Sequence, residues 1–178
     1  TPYALVRNLL ATSFEIQDSD PASTAREKLE RGLLANANSD REDAYTWPPL
    51  IGHLIGYDYT DDPRLQGLLA DARQIRDLAF HYLTQFFANS LQDQPGVILL
   101  EDIHWSDNGS LDLIEHVARE YPKAPLLIVG LARPTLFERR PGWGEGPVVC
   151  LRLDLQPLSE GNCRHLVADI LRKAREVP

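Results

Sequence analysis

The spacing of apolar residues along the chain changes character near residue 96. Before that point, apolar side chains recur every three or four positions, which is the period of an amphipathic helix. After it, short apolar runs alternate with helical segments, a pattern typical of parallel strands joined by crossover helices. The pattern therefore predicts a helical first half and an α/β second half.

Four helices are predicted in the first half. The first covers residues 4–14, and the second is opened by Asp20 as its N-cap, with Pro21 at the first helical position. A third, short helix begins at the proline pair that starts with Pro48. The longest helix begins near Pro63 and keeps its helical period for about seven turns.

Three buried strands are predicted in the second half, over residues 97–102, 124–132 and 147–155. Each is a short apolar run of the kind found in parallel sheets that are covered on both faces. Asp107 is expected to cap the helix after the first strand, and Ser159 the helix after the third. Strand, helix and strand with a right-handed crossover form the parallel α/β unit, so the predicted fold class is α/β with a helical insertion ahead of the sheet.

Two adjacent carboxylates, Glu101 and Asp102, end the first predicted strand. Ligands of open α/β sheets sit at the carboxyl ends of the strands, and side chains alternate along a strand, so the two acids diverge there. One of them can hold Mg²⁺ while the other orients or deprotonates an attacking water. This is the Walker B arrangement of NTPases. Strands also end in acids that only cap the next turn, and the strand alone leaves that alternative open.

Arg133 falls just past the end of the second predicted strand, where it can point at the same ligand as the two acids. A guanidinium beside a terminal phosphate would stabilise developing charge and report whether that phosphate is present. The alternative is a surface arginine that pairs with a nearby acid. His104 and Trp105 follow the acids, and their simplest interpretation is that Trp105 packs while His104 bonds a backbone carbonyl.

Two stretches, "VILLEDIHWSD" at 97–107 and "LLIVGLARP" at 126–134, resemble the Walker B and sensor motifs of one family. This family is the nucleotide-binding domain of AAA-type signal-transduction ATPases, the STAND group of P-loop NTPases. Such domains sit in large bacterial regulators, joined to helix-turn-helix transcription activators, adenylate cyclases or protein kinases. "TPYALVRNLL" and "LRLDLQPLSEGNCRHLVADIL" also resemble the family, so the likeness covers most of the chain.

The resemblance implies an AAA-like, parallel-sheet P-loop NTPase core and a division of the chain into three parts. Residues 1–95 would form the helical part of the ATPase domain. Residues 96–155 would hold the core strands with the Walker B and sensor motifs. Residues 156–178 would begin a helical lid.

The resemblance also implies roles for three residues. Glu101 matches the Mg²⁺-associated position, Asp102 the water-activating acid and Arg133 the sensor arginine. Glu101 and Asp102 are thus the expected metal ligands. All three residues are expected to contact ATP, and Asp102 and Arg133 are the expected catalytic residues. The implied function is an ATP-binding, ATP-hydrolysing switch, with Mg²⁺ and ATP as cofactors. Its partners would be other domains of the same chain, a protein partner or a second copy.

Two departures from the family change these expectations. No GxxxxGKS or GxxxxGKT phosphate loop occurs in the sequence, and the family carries that loop upstream of "TPYALV". We therefore expect an N-terminally truncated piece of a longer protein, inactive as an ATPase by itself. The second departure is Glu rather than Asp at position 101, which alters the metal-contact geometry. The alternative function is a non-enzymatic protein-interaction domain on a degenerate NTPase fold.

Charge and cysteine content limit the remaining functions. The net charge of −8 argues against direct nucleic-acid contact by this chain, because phosphate contacts need a basic face. Cys150 and Cys163 lack CxxC spacing, so we expect free thiols packed in the core of a cytoplasmic protein. No apolar run approaches the ~18–20 residues that span a bilayer, so no membrane partner is expected.

Overall fold

The computed structural model describes residues 2–37, 44–92, 94–120, 122, 124–146 and 150–175. Residues 147–149 of the predicted third strand and the last three residues of the predicted lid lie outside this part. The described elements, in chain order, are α1 (Ala4–Ser13), α2 (Ala22–Ala35), α3 (Trp47–Leu54), α4 (Ala72–Ser90), β1 (Gly96–Leu100), α5 (Asn108–Glu120), β2 (Leu126–Gly130), α6 (Thr135–Arg139) and α7 (Glu160–Arg175). The chain is thus mixed α/β, with a helical first half as predicted.

The main hydrophobic core lies among the first four helices and α5. Helix α2 buries Leu29 and Leu33 at a spacing of four, and α4 turns its own apolar stripe toward them. Helix α3 is buried on nearly every side because it lies between α2 and α4. Its Trp47 ring stacks on Tyr82 of α4 with centroids 5.5 Å apart. The apolar stripe of α2 therefore lies within the main core.

Helix α4 begins later than the sequence pattern predicted. It starts at Ala72 rather than near Pro63, because the Asp71 carboxylate accepts the N–H groups of Arg73 and Gln74 at 3.0 and 3.1 Å. This side-chain cap satisfies two of the donors that a helix start leaves unpaired. The preceding residues form turns instead of helix.

The predicted cap of α2 is also wrong. Helix α2 begins at Ala22, with Pro21 at its N-cap position and no side-chain cap. The Asp20 carboxylate instead accepts the N–H of Gln17 at 2.8 Å and the ammonium group of Lys28 at 2.7 Å. Asp20 therefore closes the preceding turn and ties it to the helix surface.

Strands β1 and β2 form a parallel two-stranded sheet, in register from Gly96 opposite Leu126 to Leu100 opposite Gly130. Helix α5 makes the crossover between them, as predicted. One face of the sheet packs against α1 and α5 through side chains such as Ile98. The opposite face carries Val97, Leu99 and Leu127, which stay largely exposed.

The predicted third strand is absent from the described residues. Residues 150–155 are not paired with any described strand, and their alternating Leu151, Leu153 and Leu155 are exposed. Apolar alternation marks a segment that suits a sheet, but a strand forms only where a neighbour shares its backbone hydrogen bonds. Within the part of the chain that the structure describes, β1 and β2 pair only with each other.

The last helix forms as predicted, but its apolar side is exposed. The Ser159 hydroxyl accepts the N–H of Asn162 at 3.2 Å, which is the predicted N-cap of α7. Cys150 and Cys163 are free but exposed, so the expectation of core thiols is wrong. Residues 150–172 are exposed throughout, although the Arg152 guanidinium lies 3.9 Å from the centroid of the Phe137 ring in α6. Among the described residues, no helix has both the length and the apolar character to cross a membrane.

Candidate functional site

The two predicted motifs run side by side where the strands end. Beyond the last pair of the sheet, the N–H of Leu131 donates to the carbonyl of Leu100 at 2.8 Å. The N–H of Ile103 then donates to the carbonyl of Leu131 at 3.1 Å. These two bonds carry the pairing past the strands, so the loop with the two acids lies beside the loop with Arg133. The carboxyl end of the sheet is therefore the candidate functional site.

Glu101 and Asp102 are both exposed at this end of the sheet, and the Asp102 side chain is 76% exposed. Asp102 has a left-handed backbone, with φ 52° and ψ 33°. Its carbonyl accepts the N–H of Trp105 at 2.9 Å, which closes a 3₁₀ turn. Asp is among the few residues that adopt this conformation readily, because its short side chain is tolerated there. The turn leaves both carboxylates accessible to an ion or a ligand.

The two carboxylates at this edge suit a magnesium ion that takes its other ligands from water or a bound phosphate. They do not suit a metal that is held by protein side chains alone. Glu101 and Asp102 supply hard carboxylate oxygens, which are the ligands that Mg²⁺ prefers. Within the described ranges, no group of three or more His, Cys, Asp or Glu side chains is arranged to hold a metal. Mg²⁺ typically binds one or two carboxylates and takes its other ligands from water and substrate phosphates.

His104 lies beneath the two loops, with its side chain only 2% exposed. Its Nδ1 accepts the backbone N–H of Arg133 at 3.4 Å and lies 3.9 Å from Oδ1 of Asp102. Its Nε2 is buried without a hydrogen-bond partner among the described residues. The interpretation that His104 bonds a carbonyl is therefore wrong, because its partner is an N–H group. The neighbouring Trp105 is 78% exposed, so it does not pack as expected.

Arg133 is exposed and lies just before Pro134, the N-cap residue of α6. Its carbonyl accepts the N–H of Leu136 at 3.0 Å, which fixes the start of the helical turn. Within the described part of the chain Arg133 forms no ion pair, so the alternative of an arginine paired with a nearby acid is not observed. The guanidinium thus remains available at the edge that also carries Asp102.

Asp107 supports the site by fixing the start of α5. Its Oδ1 accepts the N–H of Ser110 at 3.0 Å, and its Oδ2 accepts the Ser110 hydroxyl at 2.7 Å. The predicted N-cap is therefore confirmed. Burial acts to raise the pKa of Asp107, but hydrogen bonds from Ser110, Tyr3 and Ala4 outweigh it and hold the pKa below its ordinary value.

Two further arginines, Arg139 and Arg140, hold the rim of the site through contacts within the chain. The guanidinium of Arg139 donates to the carbonyl of Ser106 at 2.7 Å, directly after the acidic turn. Arg140 pairs with Asp112 at 2.7 Å and with Glu115 at 3.5 Å on α5. Nothing in the local pattern could have indicated these contacts, because they join residues about thirty positions apart.

An apolar recess lies on the packed face of the sheet, away from the carboxylates. Its lining includes Leu9 of α1, Phe87 of α4, Ile98 of β1 and Ile128 of β2, and all of its lining side chains are apolar. Phosphates need hydrogen-bond donors or cations, so this recess is not a site for them. The chemically relevant features remain at the strand ends.

Comparisons with known proteins leave the family unassigned. No family model matches the chain, and no solved structure matches it. A protein of Rhizobium meliloti (strain 1021), described as "Uncharacterized protein R02095", is 35% identical over 65 residues. The aligned segment is 36% of this chain and 6% of that protein, so the chain matches a small part of a much longer polypeptide.

Proposed function

We propose that the chain is part of an ATP-binding and ATP-hydrolysing switch domain of the AAA/STAND type. This proposal includes an AAA-like P-loop NTPase core in a cytoplasmic, multidomain signalling protein such as a transcriptional activator or an adenylate cyclase. One observation carries it: the Glu101–Asp102 turn and the Arg133 loop are joined side by side at the carboxyl end of a parallel sheet. That edge is where α/β proteins bind nucleotides.

The three residues have complementary chemical roles in this proposal. Glu101 and Asp102 would hold Mg²⁺, which supplies neutralisation of phosphate charge when bound. Asp102, from its exposed turn, would also orient the attacking water and accept its proton. Arg133 would place a guanidinium on the terminal phosphate and stabilise the charge that develops there.

The phosphate-binding loop must come from a different segment. The 178 residues contain no GxxxxGKS or GxxxxGKT, so the backbone N–H cradle for the phosphates is not encoded in them. The likeness to a small part of a much longer protein supports a setting within a larger chain. We therefore expect the 178 residues alone to bind Mg·ATP weakly or not at all.

Calorimetry of Mg·ATP binding tests this function directly. It compares this chain with the full-length protein, each also carrying Glu101→Gln or Asp102→Asn. The expected result is binding by the full-length protein, with Asp102→Asn retaining ATP and losing hydrolysis. If the full-length wild type binds no Mg·ATP, the two carboxylates are structural and the proposal is wrong.

A second candidate is a non-enzymatic protein-interaction domain on the same fold. The exposed sheet face formed by Val97, Leu99 and Leu127 favours it, because apolar patches of this kind mark interaction sites. In this case the chain would self-associate or bind a protein, and would not contact nucleic acid or a membrane. Sedimentation with and without Mg·ATP separates the two functions, since a pure interaction domain associates irrespective of nucleotide.

A further inference from the structure

We infer that His104 is a positioning residue that fixes Arg133 against the Glu101–Asp102 turn through its Nδ1. The inference rests on the proposed function, because it assigns to His104 the control of the arginine that would contact the terminal phosphate. It predicts that His104 contributes to hydrolysis and contributes little to nucleotide binding.

The hydrogen bond to His104 continues the pairing of the two loops by one further step. The N–H of Leu131 donates to the backbone carbonyl of Leu100 at the end of β1, and the N–H of Ile103 donates in the opposite direction to the carbonyl of Leu131. At Arg133 the backbone of the acidic loop has turned away into the 3₁₀ turn. The Nδ1 of His104 takes the place of the missing carbonyl, at 3.4 Å from the Arg133 nitrogen.

Burial makes His104 a rigid partner for this bond. Its side chain is only 2% exposed, and its ring lies 5.0 Å from the Trp105 ring, centroid to centroid. Because Nδ1 accepts a hydrogen bond, the ring proton of the neutral histidine must sit on Nε2. The Nε2 atom is buried without a hydrogen-bond partner among the described residues. The contact between the ring and the arginine loop is therefore made through Nδ1.

In the same geometry, His104 forms no hydrogen bond to Asp102, the proposed metal ligand. Oδ1 of Asp102 lies 3.9 Å from Nδ1, which is beyond hydrogen-bond distance. In the tautomer that accepts from Arg133, Nδ1 has no proton to give to the carboxylate. Asp102 therefore remains available for Mg²⁺, while His104 acts only on the arginine loop.

The consequence for catalysis follows from the length of the arginine side chain. A small rotation of the Arg133 backbone moves the guanidinium much farther than it moves the Cα atom. A displacement of about 1 Å at a reacting group can reduce a rate by up to about a hundredfold. Loss of the His104 acceptor should therefore lower kcat by roughly tenfold to a hundredfold and change KM by less than about threefold.

Three substitutions of His104 in the full-length protein test the inference. His104→Asn places a carbonyl oxygen near the position of Nδ1 and retains the acceptor. His104→Gln moves the amide out to the position of Nε2, and His104→Phe keeps the ring without either nitrogen. We expect near-normal kcat for the asparagine variant and the large loss for the other two. Equal kcat in all three variants would overturn the positioning role.

NMR tests, in the absence of nucleotide, whether the Arg133 amide donates a hydrogen bond to His104. A long-range ¹H–¹⁵N spectrum should show the proton of His104 on Nε2, and hydrogen exchange should show a protected Arg133 amide. Protection should persist in His104→Asn and disappear in His104→Phe. If the Arg133 amide exchanges equally fast in wild type and in His104→Phe, the inference is wrong. A wild-type protein with a protected Arg133 amide but no ATPase activity overturns the proposed function and leaves the His104 contact standing.

Discussion

The Oδ2 atom of Asp107 accepts the backbone N–H of Ala4 at 3.2 Å, although 103 positions separate the two residues along the chain. The same carboxylate caps α5 through Ser110. One side chain thus satisfies free N–H groups at the starts of both α1 and α5. Because α5 follows the acidic turn directly, this contact ties the candidate site to the helical core.

Removal of this carboxylate should therefore destabilise the protein more than loss of an ordinary cap. We expect Asp107→Ala to lower the free energy of unfolding by about 1–2 kcal/mol, since both helix starts lose an acceptor. Urea denaturation measures the effect. Asp107→Asn is the matched control, because its amide oxygen retains one acceptor and should recover part of the loss. Equal stability of the alanine variant and the wild type would show that the contact is not formed in solution.

The same residue predicts how stability depends on pH. Its pKa in the folded protein lies below the ordinary value of 3.8, so the folded state binds fewer protons than the unfolded chain near that value. The stabilisation is therefore present above pH 3.8 and is lost as the pH falls through the lower, folded-state pKa. Urea titrations at successive pH values should show a shallower acid dependence in Asp107→Asn. Parallel curves for the two proteins would contradict the assignment.

Because the backbone of Asp102 is left-handed, two substitutions at this position can distinguish an effect on stability from an effect on hydrolysis. Asn tolerates φ near 52° about as well as Asp, whereas Ala does not. We expect Asp102→Ala to cost about 1–2 kcal/mol in unfolding free energy. Asp102→Asn should stay within about 0.5 kcal/mol of wild type. Any loss of hydrolysis in Asp102→Asn then reports the missing charge. If both variants are equally stable, the turn does not hold the conformation described.

Close packing around Gly52 predicts that this position in α3 does not tolerate a larger side chain. A Cβ atom there would overlap the ring of the buried Tyr59. We expect Gly52→Ala to destabilise the protein by about 1–3 kcal/mol, because a filled core accepts added atoms poorly. Gly67 is the matched control, since a Cβ at that position meets nothing within 4 Å. Thermal unfolding of both variants checks the difference, and similar midpoints would argue against the Tyr59 contact.

Local signals predict most of the helices and the two paired strands. The caps at Asp107 and Ser159 and the buried stripe of α2 depend on residues within one or two turns, so the sequence contains them directly. The start of α4 is mispredicted because two local signals compete, and the cap at Asp71 prevails over the proline at 63. Boundaries of this kind are the least certain part of a sequence-based assignment.

Contacts between distant segments could not be predicted in the same way. The strand-end rule correctly brings the Arg133 loop beside the acidic turn, because parallel strands share one carboxyl edge. The bond from Arg133 to His104 depends on how each loop leaves its strand, which no periodicity encodes. The segment from Cys150 to Leu155 has the alternation of a strand but lacks a partner among the described residues.

The unpaired segment contains an exposed leucine whose contribution to stability can be compared with that of a buried leucine in the helical core. Leu33 is fully buried in the helical core, whereas Leu153 is 72% exposed. We expect Leu33→Ala to cost about 2–5 kcal/mol in unfolding free energy and Leu153→Ala to change it by less than about 0.5 kcal/mol. Both substitutions remove the same atoms, so chemical denaturation of the pair isolates burial as the variable. A loss above about 1 kcal/mol in Leu153→Ala would mean that the segment packs against an apolar surface in solution. The exposed face that carries Val97 would then be the first surface to test.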